Sequence, residues 1–259
     1  PLLVNRTAIM VRDNTNAEET AFFERVKESF IKTFVRESRW KLFVSGIGTT
    51  LLITVLSILF GTMLGFMTYL VCRGGHKAAI LIARFAVWMV QGMPVVVLLM
   101  ILYYIVFKNA DIGRTFVAVT GFTLVFGASV YRLLGIGVGA VDRGQMEGAL
   151  ALGYGRVGAF FRIILPQAIP HVLPAYRAEI VALIKATAIV GYIAVQDLTR
   201  MGDIVRSRTY EAFFPLIAVA VIYFILAGIL TFTVKKITVV FERGKSTDRG
   251  LLKGVRLHD

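Results

Sequence analysis

The chain has 259 residues, 57% of them apolar and 17% charged, with a formal net charge of +13 and a mean hydropathy of +0.74. An apolar share above the roughly 45–50% of soluble globules excludes an ordinary water-soluble domain and makes this a membrane protein. The excess of 29 Lys and Arg over 16 Asp and Glu does not point to nucleic acid, because the basic residues are scattered without a stripe or an interleaved aromatic platform; they read as topology determinants and as contacts for anionic lipid.

Residues 1–20 are the least membrane-like part. Leu2 to Arg12 alternates imperfectly and is compatible with a strand, and Pro1 is not a start residue, so this extracytoplasmic segment is expected to be either the end of an exported upstream substrate-binding domain or a flexible tail. From Glu18 to Lys41, Phe22, Val26, Phe30 and Phe34 recur every four residues while Glu24, Lys27, Glu28 and Lys32 fill other faces. That period predicts an amphipathic helix. With Trp40 as a belt residue at its end, the 21–41 segment is expected to lie along the membrane surface and lead into the first span; a soluble helix packed on an upstream domain is the alternative.

Leu42–Val71, Ala78–Phe107, Phe116–Val141 and Phe213–Val240 are each longer than the ~20 apolar residues that cross about 30 Å of hydrocarbon. A fifth segment, Ala168–Val195, carries Arg177, Glu179 and Lys185 and is read as a span facing protein or a cavity, because a charge facing lipid costs a few kcal/mol. The expected fold is therefore an all-α integral membrane protein with five transmembrane helices over 42–241. Arg73, His76, Lys77 and Arg84 make the first connection basic, and the 242–259 tail and its approach carry Lys235, Lys236, Arg243, Lys245, Arg249, Lys253 and Arg256. Both belong on the cytoplasmic side. The N-terminus is then outside, the C-terminus inside, and the Asp142–Pro166 connection inside.

Pro94 removes a backbone donor, so the second span is expected to bend near Gly92, and Pro166, Pro170 and Pro174 are expected to kink the start of the fourth. Gly61 with Gly65, and Gly135 with Gly139, read as helix-packing pairs; Gly127, Ala128 and Ser129 are expected to allow close approach in a dimer. Glu179 and Lys185, six apart, point to different sides of one helix, which leaves Arg132 of the third span as the partner for Glu179. Such a pair either lines a pathway or locks two helices together.

Asp142–Pro166 is polar and glycine-punctuated. Met146, Ala149, Leu150 and Leu152 give one apolar face on a short helix, Gly153 and Gly155 break it, and Val157–Ile164 start a second helix; two short helices on a glycine turn form a rigid knob. Two nucleotide-like patterns nearby are decoys. Gly153-Tyr154-Gly155-Arg156-Val157-Gly158 fits G-x-G-x-x-G, but no strand precedes it and no βαβ unit surrounds it. Gly244-Lys245-Ser246 lacks the first glycine of a phosphate loop, which would fall at Val239. Cys72 is alone, and His76, His171 and His258 lie far apart, so neither a disulfide framework nor a metal is expected.

Reading on from Glu147, Ala149 follows at two residues, Gly153 at six, Ile163 ten beyond that, then Leu165-Pro166. This spacing resembles the EAA loop of bacterial ABC importer permeases, Gly148 alone standing where the family has its first Ala. From Trp40 to Val240 the chain looks like the polar-amino-acid subfamily, through Gly48-Thr49-Thr50-Leu51, Gly92-Met93-Pro94, Gly144-Gln145-Met146-Glu147, Leu165-Pro166-Gln167-Ala168 and Leu183-Ile184-Lys185-Ala186-Thr187.

The resemblance implies a permease subunit in the bacterial cytoplasmic membrane that imports polar amino acids by alternating access. Its partners would be an identical or related permease, two ATPase subunits that hold ATP and Mg, and an extracytoplasmic substrate-binding protein or fused domain. It implies ATPase coupling at Gln145, Glu147, Ala149, Leu152, Gly153, Gly155 and Ile163, and a substrate pathway at Gln91, Met93, Arg132, Glu179, Lys185 and Thr187. The charged outer segment offers Asp197, Arg200, Asp203 and Arg206 as a dock for the binding protein. Gln91 and Met93 replace the family's Arg and Thr, Arg132 stands about where a Glu is usual, and Ala186 replaces an Asp. The rival readings are an ion-coupled secondary transporter that relays protons through Arg132, Glu179 and Lys185, and a non-transporting membrane scaffold.

Overall fold

A computed structural model describes residues 21–252, with side chains described through Lys236. The strand-compatible Leu2–Arg12 stretch and the rest of the 1–20 segment lie outside the described residues, as does the end of the tail. Every regular element among the described residues is helical.

Helix α1 (21–35) closes in a wide π turn, Ile31–Val35. The backbone then breaks at Glu37 and Ser38, both at positive φ (55° and 52°), before α2 begins at Trp40. Trp40 therefore opens the first long helix and does not close the amphipathic one. The break is fixed by Arg39, which is buried and donates to the Lys32 carbonyl at 2.7 Å while pairing with Glu37 at 3.2 Å. The end of α1 is tied back by Ser29 and Lys32 to Glu211, and by Phe34 stacking on Phe43.

The core is α2 (Trp40–Arg73) against α5 (Arg114–Gly139). Glycines make the approach. A Cβ on Gly65 would stand 2.4 Å from the Gly127 carbonyl oxygen, and one on Gly61 would stand 3.0 Å from the Phe126 side chain. Ile53, Phe122 and Phe126 fill the seam. Two hydroxyls at the seam are answered, Thr54 by the Thr50 carbonyl and Ser57 by the Val119 carbonyl across it, while the buried Thr123 hydroxyl of α5 has no hydrogen-bond partner among the described residues. The Gly61/Gly65 pair thus packs helices as its spacing suggests. Gly127, Ala128 and Ser129 are buried within the chain, where Gly127 meets Gly61 and Leu64 of α2, while among the described residues nothing lies within 4 Å of a Cβ placed on Gly135 or Gly139.

The second apolar segment is broken. Helix α3 (Lys77–Gly92) and α4 (Val95–Ile101), which continues through a π turn Leu102–Val106, are bent by 113°. Pro94 forces its predecessor Met93 out of helix and into extended backbone, φ −112° and ψ 150°. Each half is too short to cross about 30 Å alone. Helix α3 follows the turn after Arg73, and the Tyr103 hydroxyl lies 3.1 Å from Nε of Arg114 at the start of α5.

The fourth segment starts earlier than expected. Helix α6 (Gly144–Ala151) and a turn precede α7 (Arg156–Ala159), which runs through a π turn, Phe160–Ile164, into α8 (Leu165–Ala186) and a 3-10 stretch, Thr187–Ile193. The prolines do not end the helix: a π turn stands just before Pro166, and Pro170 and Pro174 stay inside α8. After a 54° bend comes α9 (Leu198–Thr209), and α10 (Phe213–Leu252) continues well past its apolar part. Gly244-Lys245-Ser246 lies in that helix, not in a loop. Among the described residues three helices are long and apolar enough to cross a membrane, and up to five segments are if each bent pair is one. The apolar window of α5 is 67% buried and that of α10 only 6%, so α5 is central and α10 peripheral.

Candidate functional site

The Asp142–Pro166 connection is built from its caps. The Asp142 carboxylate accepts the Gly144 amide at 2.7 Å and opens α6. Glu147 stands in the first turn, where the helix dipole favours an acid. The helix closes with Gly153 at φ +83°, its amide on the Leu150 carbonyl and the Tyr154 amide on the Ala149 carbonyl. A non-glycine residue is strained in that conformation. Gly155, extended, precedes α7.

Ala149 is the side chain of α6 that is buried, while Leu152 lies 78% and Val157 72% exposed at the tip. The single apolar face expected over Met146–Leu152 is therefore split: Ala149 faces inward and Leu152, already in the turn, faces out. The knob is also not two free short helices, because its second arm is the start of the long α7–α8 run. Gln167 Nε2 donates both to Gln145 Oε1 at 3.1 Å and to the Ile163 carbonyl at 3.0 Å, fastening α6 to that run across the π turn. Gln167 stood in the sequence only as part of Leu165-Pro166-Gln167-Ala168, with no role, because an amide in a motif does not announce its partner.

Of the six pathway candidates, the structure brings two together. Arg132 of α5 and Glu179 of α8 form an ion pair at 3.2 Å, with side chains 55% and 29% exposed. Tyr176, one turn before Glu179, hydrogen-bonds Thr62 of α2 at 2.7 Å. Gln91 and Lys185 are exposed elsewhere. Met93 is partly buried against the main core, and Thr187 is fully buried with its hydroxyl on the Ile184 carbonyl.

The opposite end carries a polar cluster of a different kind. Asp197 is 0% exposed and caps α9, accepting from the Thr199 and Arg200 amides at 3.0 Å and from the Tyr223 hydroxyl at 3.2 Å. The Leu198 amide donates to Thr50 Oγ1 of α2 at 3.2 Å, and Gly46 lets the two backbones meet. Burial pushes the pKa of Asp197, in the connection before α9, upward; the Arg200 and Thr199 amides and the Tyr223 hydroxyl oppose it. Asp197 is thus a structural cap, and the expectation that it offers surface charge to a partner fails because its carboxylate has no exposed surface. An Asp directly before a helix is the signal that could have found it. Arg200 and Arg206 are exposed, and Asp203 pairs with Arg206 at 3.1 Å. Among the described residues no group of three or more His, Cys, Asp or Glu is placed to hold a metal.

Residues 57–239 match the family described as "Binding-protein-dependent transport system inner membrane component". The chain is 33% identical over 196 residues to the putative glutamine transport system permease protein GlnP of Rickettsia felis, covering 74% of this chain and 89% of that one. It is 34% identical over 198 residues to the arginine transport system permease protein ArtQ of Bacillus subtilis, covering 75% and 90%. A solved amino acid ABC transporter with histidines superposes with a TM-score of 0.70 at 33% identity, covering 86% of this chain and 97% of that one. The MetNI methionine ABC transporter, inward facing, superposes with a TM-score of 0.67 at 22% identity over 80% and 99%, a likeness of fold.

Proposed function

The chain belongs to the family of binding-protein-dependent transport system inner membrane components, and from that footing we propose that it is the permease subunit of an ATP-driven importer of polar amino acids, working by alternating access. The substrate class follows the glutamine and arginine permeases that it resembles. It crosses the bacterial cytoplasmic membrane five times, α3 with α4 and α7 with α8 each forming one crossing, with the N-terminus outside and the C-terminus inside. The basic connection after Arg73 and the basic tail favour this orientation.

The observation that carries the reading is the α6–α7 loop, whose apolar tip at Leu152 and Val157 is uncovered while its backbone is tightly capped. A separate ATPase, which binds ATP and Mg, grips this tip in each of two permease copies, identical or related. Its closure is carried through Gln145–Gln167 and the unbroken α7–α8 run into the bundle. Arg132 and Glu179 stand at lipid depth on faces their own chain leaves partly open, so a second copy or a water-filled pathway must cover them. A zwitterionic substrate needs a donor for its carboxylate and an acceptor for its ammonium, and this pair supplies both. An extracytoplasmic substrate-binding protein docks at Arg200, Asp203 and Arg206.

Co-purification with ATPase subunits tests the reading. Leu152→Asp is expected to weaken that association about tenfold or more without unfolding the chain. Arg132→Gln and Glu179→Gln are expected to abolish substrate-stimulated ATP hydrolysis while leaving ATPase association in place; if both retain stimulation, the pair is a helix lock. Uptake into liposomes driven by a proton gradient with no ATPase present would favour the ion-coupled rival.

A further inference from the structure

Between the end of α2 and the α6–α7 loop lies a groove of about 660 Å³, within the range of small-ligand sites, about 300–1,000 Å³. Leu70, Leu150, Val157 and Phe161 give it apolar walls, and its charged lining residues are Arg73 and Arg156, with no carboxylate among them. The Arg73 guanidinium rests over the Phe160 ring at 4.5 Å, which holds the cation against the wall. Neither arginine is in an ion pair with a carboxylate among the described residues.

Depth in the membrane narrows the occupant. The 34 residues of α2 extend about 51 Å, slightly more than the roughly 40–45 Å of a bilayer with its headgroups. Trp40 and Arg73 therefore fall in opposite headgroup layers, and Leu70, one turn earlier, lies at the edge of the hydrocarbon. A site with guanidinium groups at phosphate depth and apolar walls below it matches one chemistry. We propose that this groove takes the headgroup of an anionic phospholipid, its phosphodiester between Arg73 and Arg156 and its glycerol and first methylenes against Leu70, Leu150 and Phe161. Guanidinium forks suit phosphate oxygens, and the stem of the lipid covers apolar surface that the chain leaves open. Leu152, at the tip of the loop, is not part of the groove, whereas Val157 lines it, so an ATPase docked on the tip borders the lipid at Val157.

Native mass spectrometry of the full chain in neutral detergent, titrated with phosphatidylglycerol or phosphatidylcholine of the same acyl chains, reads this directly. Phosphatidylglycerol is expected to be retained in preference. Arg73→Gln or Arg156→Gln lowers its apparent affinity about fivefold and both together about thirtyfold, leaving phosphatidylcholine unchanged. Arg73→Lys keeps the preference, which separates lost charge from lost folding, and Arg208→Gln at the opposite end leaves it untouched. Equal retention of the two lipids, or glutamine variants with undiminished preference, would overturn the assignment. So would displacement of phosphatidylglycerol by millimolar inorganic phosphate, which would make this a free-anion site. Loss of ATPase association in the double variant with lipid preference intact would make the groove a protein interface instead.

Discussion

At the end that carries α9, Asp197 is enclosed and its carboxylate receives the Thr199 and Arg200 amides and the Tyr223 hydroxyl. At the opposite end, Leu152 and Val157 project from a loop whose own chain offers nothing to cover them. The first end satisfies its polar groups internally and rigidifies the junction of α2, α9 and α10. The second is held in shape by its caps and by the Gln167 to Gln145 bond, with the apolar side chains of its tip left for something else. A region can therefore be well ordered for two reasons, burial or capping, and only the second leaves a surface free for a partner.

Substitutions at the two ends should separate those reasons. The largest effect is expected for Asp197→Ala, which removes the cap and strands buried donors; about 3 kcal/mol of stability should be lost, read as thermal unfolding in detergent. Asp197→Asn keeps an acceptor and should lose less. If Asp197→Ala unfolds like the parent, the enclosed end is not what holds the outer helices together. Between the ends, Gly65→Ala drives a methyl to 2.4 Å from the Gly127 carbonyl oxygen and should cost about 1–3 kcal/mol. Gly135→Ala, where nothing lies within 4 Å, should change stability by no more than about 0.5 kcal/mol. At the capped end, Gly153→Ala should cost about 1 kcal/mol for its left-handed backbone, and its effect on coupled ATP hydrolysis should exceed its effect on folding. Leu152→Asp should be the mildest for stability, within about 0.5 kcal/mol, and the most damaging for ATPase association.

The long helices were legible because about twenty apolar residues in a row admit few other structures, and the break at Pro94 was legible because proline dictates the backbone before it. The size of that bend was not, since the packing of α4 on α5, where Leu99 meets Gly121, is a contact between segments that no local pattern encodes. Gly61 and Gly65 declared their packing role by spacing. Gly127–Ser129 did not reveal whether their partner was the same chain or another, because smallness permits approach without naming what approaches. Arg132 and Glu179 could be paired from the sequence, being opposite charges on apolar segments with few alternatives. Asp197 was hidden by its neighbours: the charged run around it reads as solvated surface, and burial of a single acid within such a run is a tertiary fact.

The account rests on the α6–α7 tip facing the cytoplasm, where an ATPase can reach it. In a Cys72→Ser background, a membrane-impermeant maleimide should fail to label Leu152→Cys in intact cells and label it rapidly in inverted vesicles, with Tyr210→Cys giving the reverse pattern. Labelling of Leu152→Cys from the outside of intact cells would contradict the orientation and, with it, the coupling to an ATPase.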